Sequence, residues 1–482
     1  MRIAIVGAGP TGWAAALNLS KIQNSEITVF HGGIEEGDLN KAEPLKKAFN
    51  VKLLRGSDFP YRDFAFGPKT HERGVRIPKS FSKEGLSLVW GATMLPYAQS
   101  DIQDWPISAH DLDHGYRFVT ESMPIAGMVD RLATTFKPFI SQPALQPTNR
   151  ILQLLEIANG LSESNVLLGA SRLAVFSRTR QERGCVYCDL CMQGCPNQKI
   201  WSAPSVDSLN VKYMKNFRII KIQENDNQVL LESLNQNGEA HNFEGFDKVF
   251  LASGCVESFR ILSSSGFVNK DVTLQDSATY YLPLFIFRRY KRVEETKHSL
   301  SQAFVRIQTS TKKAAQLQIY DYSEDLVDRA RSVFPFGKII PRWVYRIPLK
   351  RMFVAIGYLD SHHSPKISMS LNPKGDVVLS RSTSSQVSVQ EEVEFILNSA
   401  ERVLRRLGLW ALKPLIQYSH PGGGAHSGGW LPMGEGSDLL GRSHGMRNVH
   451  VIDSSILPSI PAGAITFTVM ANAVRITEQA CK

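Results

Sequence analysis

Three observations predict an α/β protein. They are an apolar N-terminal strand running through a glycine turn into an Ala-rich helix, a later buried strand ending in small residues at Gly254, and long alternating segments between residues 275 and 410. The expected architecture is a Rossmann-like nucleotide-binding domain made from both ends of the chain, with an antiparallel-sheet (α+β) domain inserted. The expected boundaries are 1–270, including a cysteine loop at 185–195, then 271–412 for the insertion, and 413–482 for the return to the first domain.

The first element is Ile3-Ala4-Ile5-Val6, followed by Gly7-Ala8-Gly9-Pro10-Thr11-Gly12 and the helix-forming run Trp13 to Leu19. Glycines in G-x-G-x-x-G spacing between a strand and a helix open a dinucleotide-binding βαβ unit. Gly7 permits the tight turn, Gly9 lets the backbone approach a pyrophosphate, and Gly12 lets the helix pack on the strand. The unpaired N–H groups at the helix start then face the phosphates. Ile27 to Phe30 reads as the second strand, and His31 stands at its end, where this fold usually places an acid on the ribose hydroxyls. The imidazole makes that contact, or Glu35 or Glu36 replaces it, or His31 is a solvent-facing loop residue.

The chain has 482 residues, 43% of them hydrophobic, and 55 Lys and Arg against 45 Asp and Glu give a formal charge of +10. That length suits two joined domains. The scattered positive charge suits an anionic cofactor or surface, and no nucleic-acid reader motif accompanies it. No run of 18 apolar residues is present, and the N-terminal apolar run is broken by Gly and Pro, unlike a signal peptide. The expected compartment is the cytoplasm, where cysteines are reduced or metal-bound.

Further along, Val89 to Pro96 contains Gly91 and Ala92, small residues beside which a planar ligand can lie. Ser108 with Asp111 three residues later marks a helix start. Phe217 to Ile222 and Val229 to Leu234 read as strands joined by a turn at 225–227, leading to the buried strand Val249 to Gly254. Tyr280 to Phe287 and Ala315 to Tyr322 alternate as strands, and Gln390 to Leu407 has helical periodicity. From Phe334 to Phe353, bases interleave with aromatics. The expectation is a pair of strands with a core side and a solvated basic side; the other reading is a peripheral contact with the inner face of a membrane.

Cys185, Cys188, Cys191 and Cys195, followed by Pro196, have the C-x2-C-x2-C-x3-C-P spacing of bacterial ferredoxins. An iron–sulfur cluster, 4Fe-4S or 3Fe-4S, is the first expectation. Zinc and unmetallated packing thiols are the alternatives. Cys255 and Cys481 stand apart from this run, as a small buried residue and a tail thiol.

Near the C-terminus, His420-Pro421-Gly422-Gly423-Gly424-Ala425-His426-Ser427-Gly428-Gly429 runs on to Met433-Gly434. Val449 to Pro458, containing Asp453, and Thr466 to Arg475 follow. These pieces, with the opening turn, Trp90 to Asp111, the Gly254 strand and the place of the Cys run, closely resemble the glucose–methanol–choline (GMC) family of flavoprotein oxidoreductases. The resemblance implies a bound FAD. Gly7, Gly9 and Gly12 would hold its pyrophosphate, Asp453 and Gly254 would lie beside it, and Gly91-Ala92 would lie near the isoalloxazine.

In the family a histidine matching His426 is the active-site base, taking the hydroxyl proton as hydride passes to the flavin. His420 is a second candidate, and either histidine could instead be structural. The position of the family's second catalytic His or Asn is Ala464, a departure from the pattern. The implied function is a dehydrogenase oxidising a hydroxyl group of a sugar or lipid-linked glycan, with electrons leaving through the cluster to a protein or quinone. A reductase or redox isomerase, and an idle relative that senses redox state or metal or binds a partner, are the rivals.

Overall fold

The computed structural model describes the chain except for residues 36–41, 44–52, 162–164, 179–183, 226–227, 291–297, 310–312, 334–336, 338 and 384–386. Its first layer is a parallel five-stranded sheet. At its centre lie β1 (Arg2–Val6) and, on either side, β2 (Glu26–His31) and β3 (Lys248–Leu251); Val211–Lys215 extends it beside β2 and Val449–Val451 beside β3. Ile3, Ile5, Val29 and Phe250 are all at most 1% exposed, the continuous apolar burial of a parallel sheet covered on both faces. One cover is α1 (Pro10–Leu19), which packs on the helix Thr466–Ala480, where Asn18 Nδ2 donates to Thr477 Oγ1 at 3.0 Å. The chain thus returns from its far end to complete the layer begun at residue 2.

Phe217–Glu224, Val229–Asn235 and Ala240–Phe246 form the antiparallel meander expected from their alternation. Part of its turn, residues 226–227, lies outside the described residues. The helix Cys255–Ser264 packs on the meander through a buried ion cluster in which Arg218 and Arg260 both reach Glu257 at 2.9 Å.

A seven-stranded sheet follows, antiparallel throughout, whose central strands are β4 (Thr279–Ile286), β5 (Ala315–Tyr320) and β6 (Met352–Tyr358). Leu282, Leu284 and Ile286 of β4 form a core with Val393, Ile396 and Leu397 of the helix Val389–Arg406. The opposite face of the sheet turns toward the parallel layer. A five-stranded sheet beside it includes Val272–Asp276 and Ser427–Gly428. Both sheets take a strand from the N-terminal half, Val166–Ala170 in the first and Thr70–Arg73 in the second.

The strand pair expected over 334–353 does not form. After α2 (Glu324–Val333), residues Arg342–Leu349 make a second helix, α3, and only from Met352 does the chain become a strand. Trp343 and Ile347 are four apart and Pro341 sits at the N-cap, so the apolar period is helical rather than two. No residue of α3 is buried. Among the described residues no helix is long and apolar enough to cross a membrane.

Candidate active site

Between the parallel layer and the seven-stranded sheet lies a cavity of ≈ 680 Å³. One end is the glycine turn. A Cβ on Gly7 would stand 2.3 Å from the Ala252 carbonyl oxygen, and one on Gly12 would stand 1.9 Å from that of Gly7, so the strand-to-helix crossing requires both glycines. Gly9 differs, because its nearest neighbour would be 3.8 Å away. The space beside Gly9 is left for something other than protein. With no side-chain cap and Pro10 at its first turn, α1 presents unfilled N–H groups there.

His31 lines the cavity at the end of β2 and is 7% exposed, not a solvent-facing residue. Its Nδ1 is buried without a hydrogen-bond partner among the described residues, and burial, with Lys83 and Lys215 nearby, lowers its pKa to about 4. A neutral imidazole with an unmet nitrogen is what a ribose hydroxyl would satisfy. Glu35 is instead exposed and paired with Lys215 at 2.7 Å. Glu36 lies outside the described residues.

At the other end the Gly-rich loop folds over the sheet. Gly424 sits against Thr279, whose Oγ1 a Cβ would meet at 2.1 Å, and Ala425 takes a left-handed conformation with φ 59°. This brings His426 to the cavity wall, while His420 stays exposed at its rim. Tyr358 stacks on the His426 ring at 4.8 Å, and the Ser277 N–H donates to the His426 carbonyl at 3.0 Å. Burial lowers the His426 pKa to about 4, and its Nδ1 is buried without a partner. Asp276, which the sequence did not single out, ties the loop down by accepting from Gly422 N at 2.7 Å and Ser427 Oγ at 2.8 Å. Burial raises its pKa to about 6 against those hydrogen bonds.

Asp453 also lines the cavity, but both its oxygens are already used. Oδ2 accepts from Gly254 N at 3.0 Å and Ser258 Oγ at 2.5 Å, and Oδ1 accepts from Ser455 N at 3.0 Å and Ser455 Oγ at 2.5 Å. It staples the turn at the end of β3 to the C-terminal segment, and burial raises its pKa. Gly91 and Ala92 lie in the wall, Ala92 with φ 58°.

Ala464 is in the wall too, and its neighbour Gly463 leaves no room for a Cβ against Gln316. On the same face of β5 as Gln316, Gln318 and Tyr320 line the cavity. Gln318 Oε1 accepts from Tyr320 Oη at 3.3 Å and Thr93 Oγ1 at 3.4 Å. These polar groups were missed in the sequence, where only the alternation of 315–322 signalled a strand.

The four cysteines of the run line a second, much smaller cavity with Asn197 and Lys199. Tyr187 and Asp189, flanking Cys188, both have positive φ, 54° and 59°, and this coils the loop around the thiols. Lys199 N donates to Cys195 Sγ at 3.3 Å. Burial raises the Cys185 pKa. Among the described residues no three His, Cys, Asp or Glu side chains are arranged to hold a metal ion. The run therefore sits apart from the large cavity, which it touches only through Met192.

Residues 411–473 match the C-terminal family model described as GMC oxidoreductase, a segment that includes the His426 loop, Asp453 and Ala464. That segment is similar to the C-terminal domain of the GMC oxidoreductases. The uncapped helix, the open Gly9 and the unmet His31 nitrogen fit the phosphates and ribose of FAD. No curated protein sequence matches it. Solved structures show the same fold at low identity. The pyridoxine 4-oxidase from Mesorbium loti is 15% identical with a TM-score of 0.63, over 99% of this chain and 98% of that one. An FAD-dependent oxidoreductase from Chaetomium thermophilum is 12% identical with a TM-score of 0.62, over 99% and 98%.

Proposed function

We propose that this chain is an FAD-dependent oxidoreductase of the GMC kind that oxidises a hydroxyl group, on a sugar or a lipid-linked glycan, with His426 as the base and Gly7, Gly9, Gly12, His31, Gly91, Ala92, Gly254 and Asp453 around the cofactor. Bound FAD supplies the hydride acceptor. The observation that carries this reading is that a neutral histidine opens into the same cavity as the glycine turn. At neutral pH that imidazole is free to take a proton, and an alcohol yields hydride readily only as it becomes an alkoxide. The Tyr358 stack and the Asp276 grip on the loop hold the ring in place. Gln318 stands as the polar partner for the substrate oxygen that Ala464 lacks. Ala464 also favours a second reading, an idle relative; a flavoprotein that no alcohol reduces would support it.

In the same proposal Cys185, Cys188, Cys191 and Cys195 would hold an iron–sulfur cluster on the strength of their C-x2-C-x2-C-x3-C-P spacing, the loop drawing together on binding thiols that the structure does not set as a metal site. Such a cluster supplies a one-electron exit. Met192 reaches the flavin cavity while its neighbour Cys191 lines the other, so the loop is the partition between the two. The partition into 1–270, 271–412 and 413–482 belongs to this proposal as well.

The test is anaerobic reduction of the flavin by a panel of alcohols. His426→Ala is expected to retain the yellow chromophore and lose reduction by a factor of about 10² or more. Undiminished reduction in that variant overturns the assignment of the base.

A further inference from the structure

The sheet face above the cavity continues beyond it. In β4 and β6, Leu282, Leu284, Phe353 and Ala355 are fully buried against the core, whereas Tyr281, Pro283, Phe285, Met352, Val354 and Ile356 are only half-buried. Alternation puts the second set on one face, the one that carries Gln318 and Tyr320. The register pairs them across the strands as Tyr281 with Ile356, Pro283 with Val354 and Phe285 with Met352. Tyr281 and Ile356 line the flavin cavity. From there an apolar, incompletely covered track runs outward for about 20 Å. It ends at Trp410, which is opposite Phe285 and 57% exposed, and at Phe287, 52% exposed.

At the cavity mouth stands the α2–α3 hairpin, for Arg329 of α2 lines the cavity and α3 leads directly into β6. Arg342 and Arg346 on one side of α3 pair with Glu324 of α2. The other side is bare, with Trp343 61% and Ile347 63% exposed and Ile339, just before the helix, 79% exposed. Residues 324–351 carry seven basic and three acidic side chains. A short helix with an exposed Trp and Ile in a basic setting is built to lie in the headgroup region of an anionic membrane.

We infer that the substrate is a long-chain amphiphile taken from a lipid surface, its hydroxyl end under His426 and its tail along the β4–β6 track to the membrane that α3 meets. The inference rests on the proposal that the cavity oxidises a hydroxyl group. Its test uses binding alone, so that failure of the chemistry and failure of the tail track remain distinguishable.

Holoenzyme is sedimented with vesicles of phosphatidylcholine alone and of phosphatidylcholine with phosphatidylglycerol. Separately, primary alcohols from ethanol to octadecanol are titrated by tryptophan fluorescence. The wild type is expected to sediment with the anionic vesicles and to bind alcohols roughly fourfold more tightly per added methylene until the track is filled. Trp343→Glu with Ile347→Glu, both on the bare face, should cut vesicle binding at least tenfold and leave the chain-length series intact. Val354→Glu should flatten that series; if it does not fold, Phe287→Glu at the exposed end should flatten only the response to the longest alcohols.

Wild-type protein that sediments with neither vesicle overturns the inference, and so does affinity independent of chain length. If the α3 variant changes the oligomeric state and not vesicle binding, the bare face is a contact between copies of the chain and the inference likewise fails.

Discussion

Glu257 and His426 are both buried, and the presence or absence of charged partners decides their protonation. Burial alone would raise the Glu257 carboxyl, but the guanidinium groups of Arg218 and Arg260 outweigh it and hold the pKa well below the usual range. A group depressed on folding adds stability above its unfolded pKa, about 4.3 for Glu, and loses it as the pH falls toward the folded value. Glu257→Gln removes the anion that Arg218 and Arg260 share, leaving Arg218 only Asp63 at 3.7 Å among the described residues, and should cost about 3–5 kcal/mol, measured by chemical denaturation, with a shallower loss of stability below pH 4 than the wild type. Among the described residues His426 has no charged partner, and burial alone brings it to about 4. It stays neutral above that value, so kcat/KM of the free enzyme should fall only as the pH drops through about 4, with no inflection near 6.5. An inflection at the ordinary histidine value would mean that the ring is solvated in solution.

At the scale of elements, the glycine turn separates two jobs that look alike in sequence. Gly7→Ala and Gly12→Ala each drive a methyl into a backbone carbonyl and should destabilise the fold outright. Gly9→Ala meets nothing closer than 3.8 Å, so the protein should fold with near-native stability yet lose flavin affinity, read as chromophore released on gel filtration. This turn was legible because strand, turn and helix are contiguous and each glycine answers a local constraint. The helix Val389–Arg406 and the meander were legible for the same reason. The α3 segment was not, since bases alternate with aromatics in a way that mimics a strand, and only the exposed Trp343–Ile347 spacing betrays the helix. Asp276 and Gln318 were invisible because their importance comes from partners far away, Gly422 across 146 residues and Thr93 across 225.

For the whole molecule, two cavities separated by one loop make a prediction about composition. Anaerobically purified protein should carry flavin together with iron and sulfide, and Cys191→Ser should remove the iron while leaving the flavin, since the thiols lie outside the large cavity. Folded protein with flavin but no iron or sulfide would refute the cluster and leave the thiols as packing residues. The large cavity is itself a property of the assembled layers, with walls from residues 6 to 469. The sheet that floors it draws neighbouring strands from residues 2–6, 248–251 and 449–451, so it closes only after residue 451 has been made. Until Val449–Val451 has been made, β3 offers an unpaired apolar edge around Phe250, a surface that invites chaperone binding or aggregation.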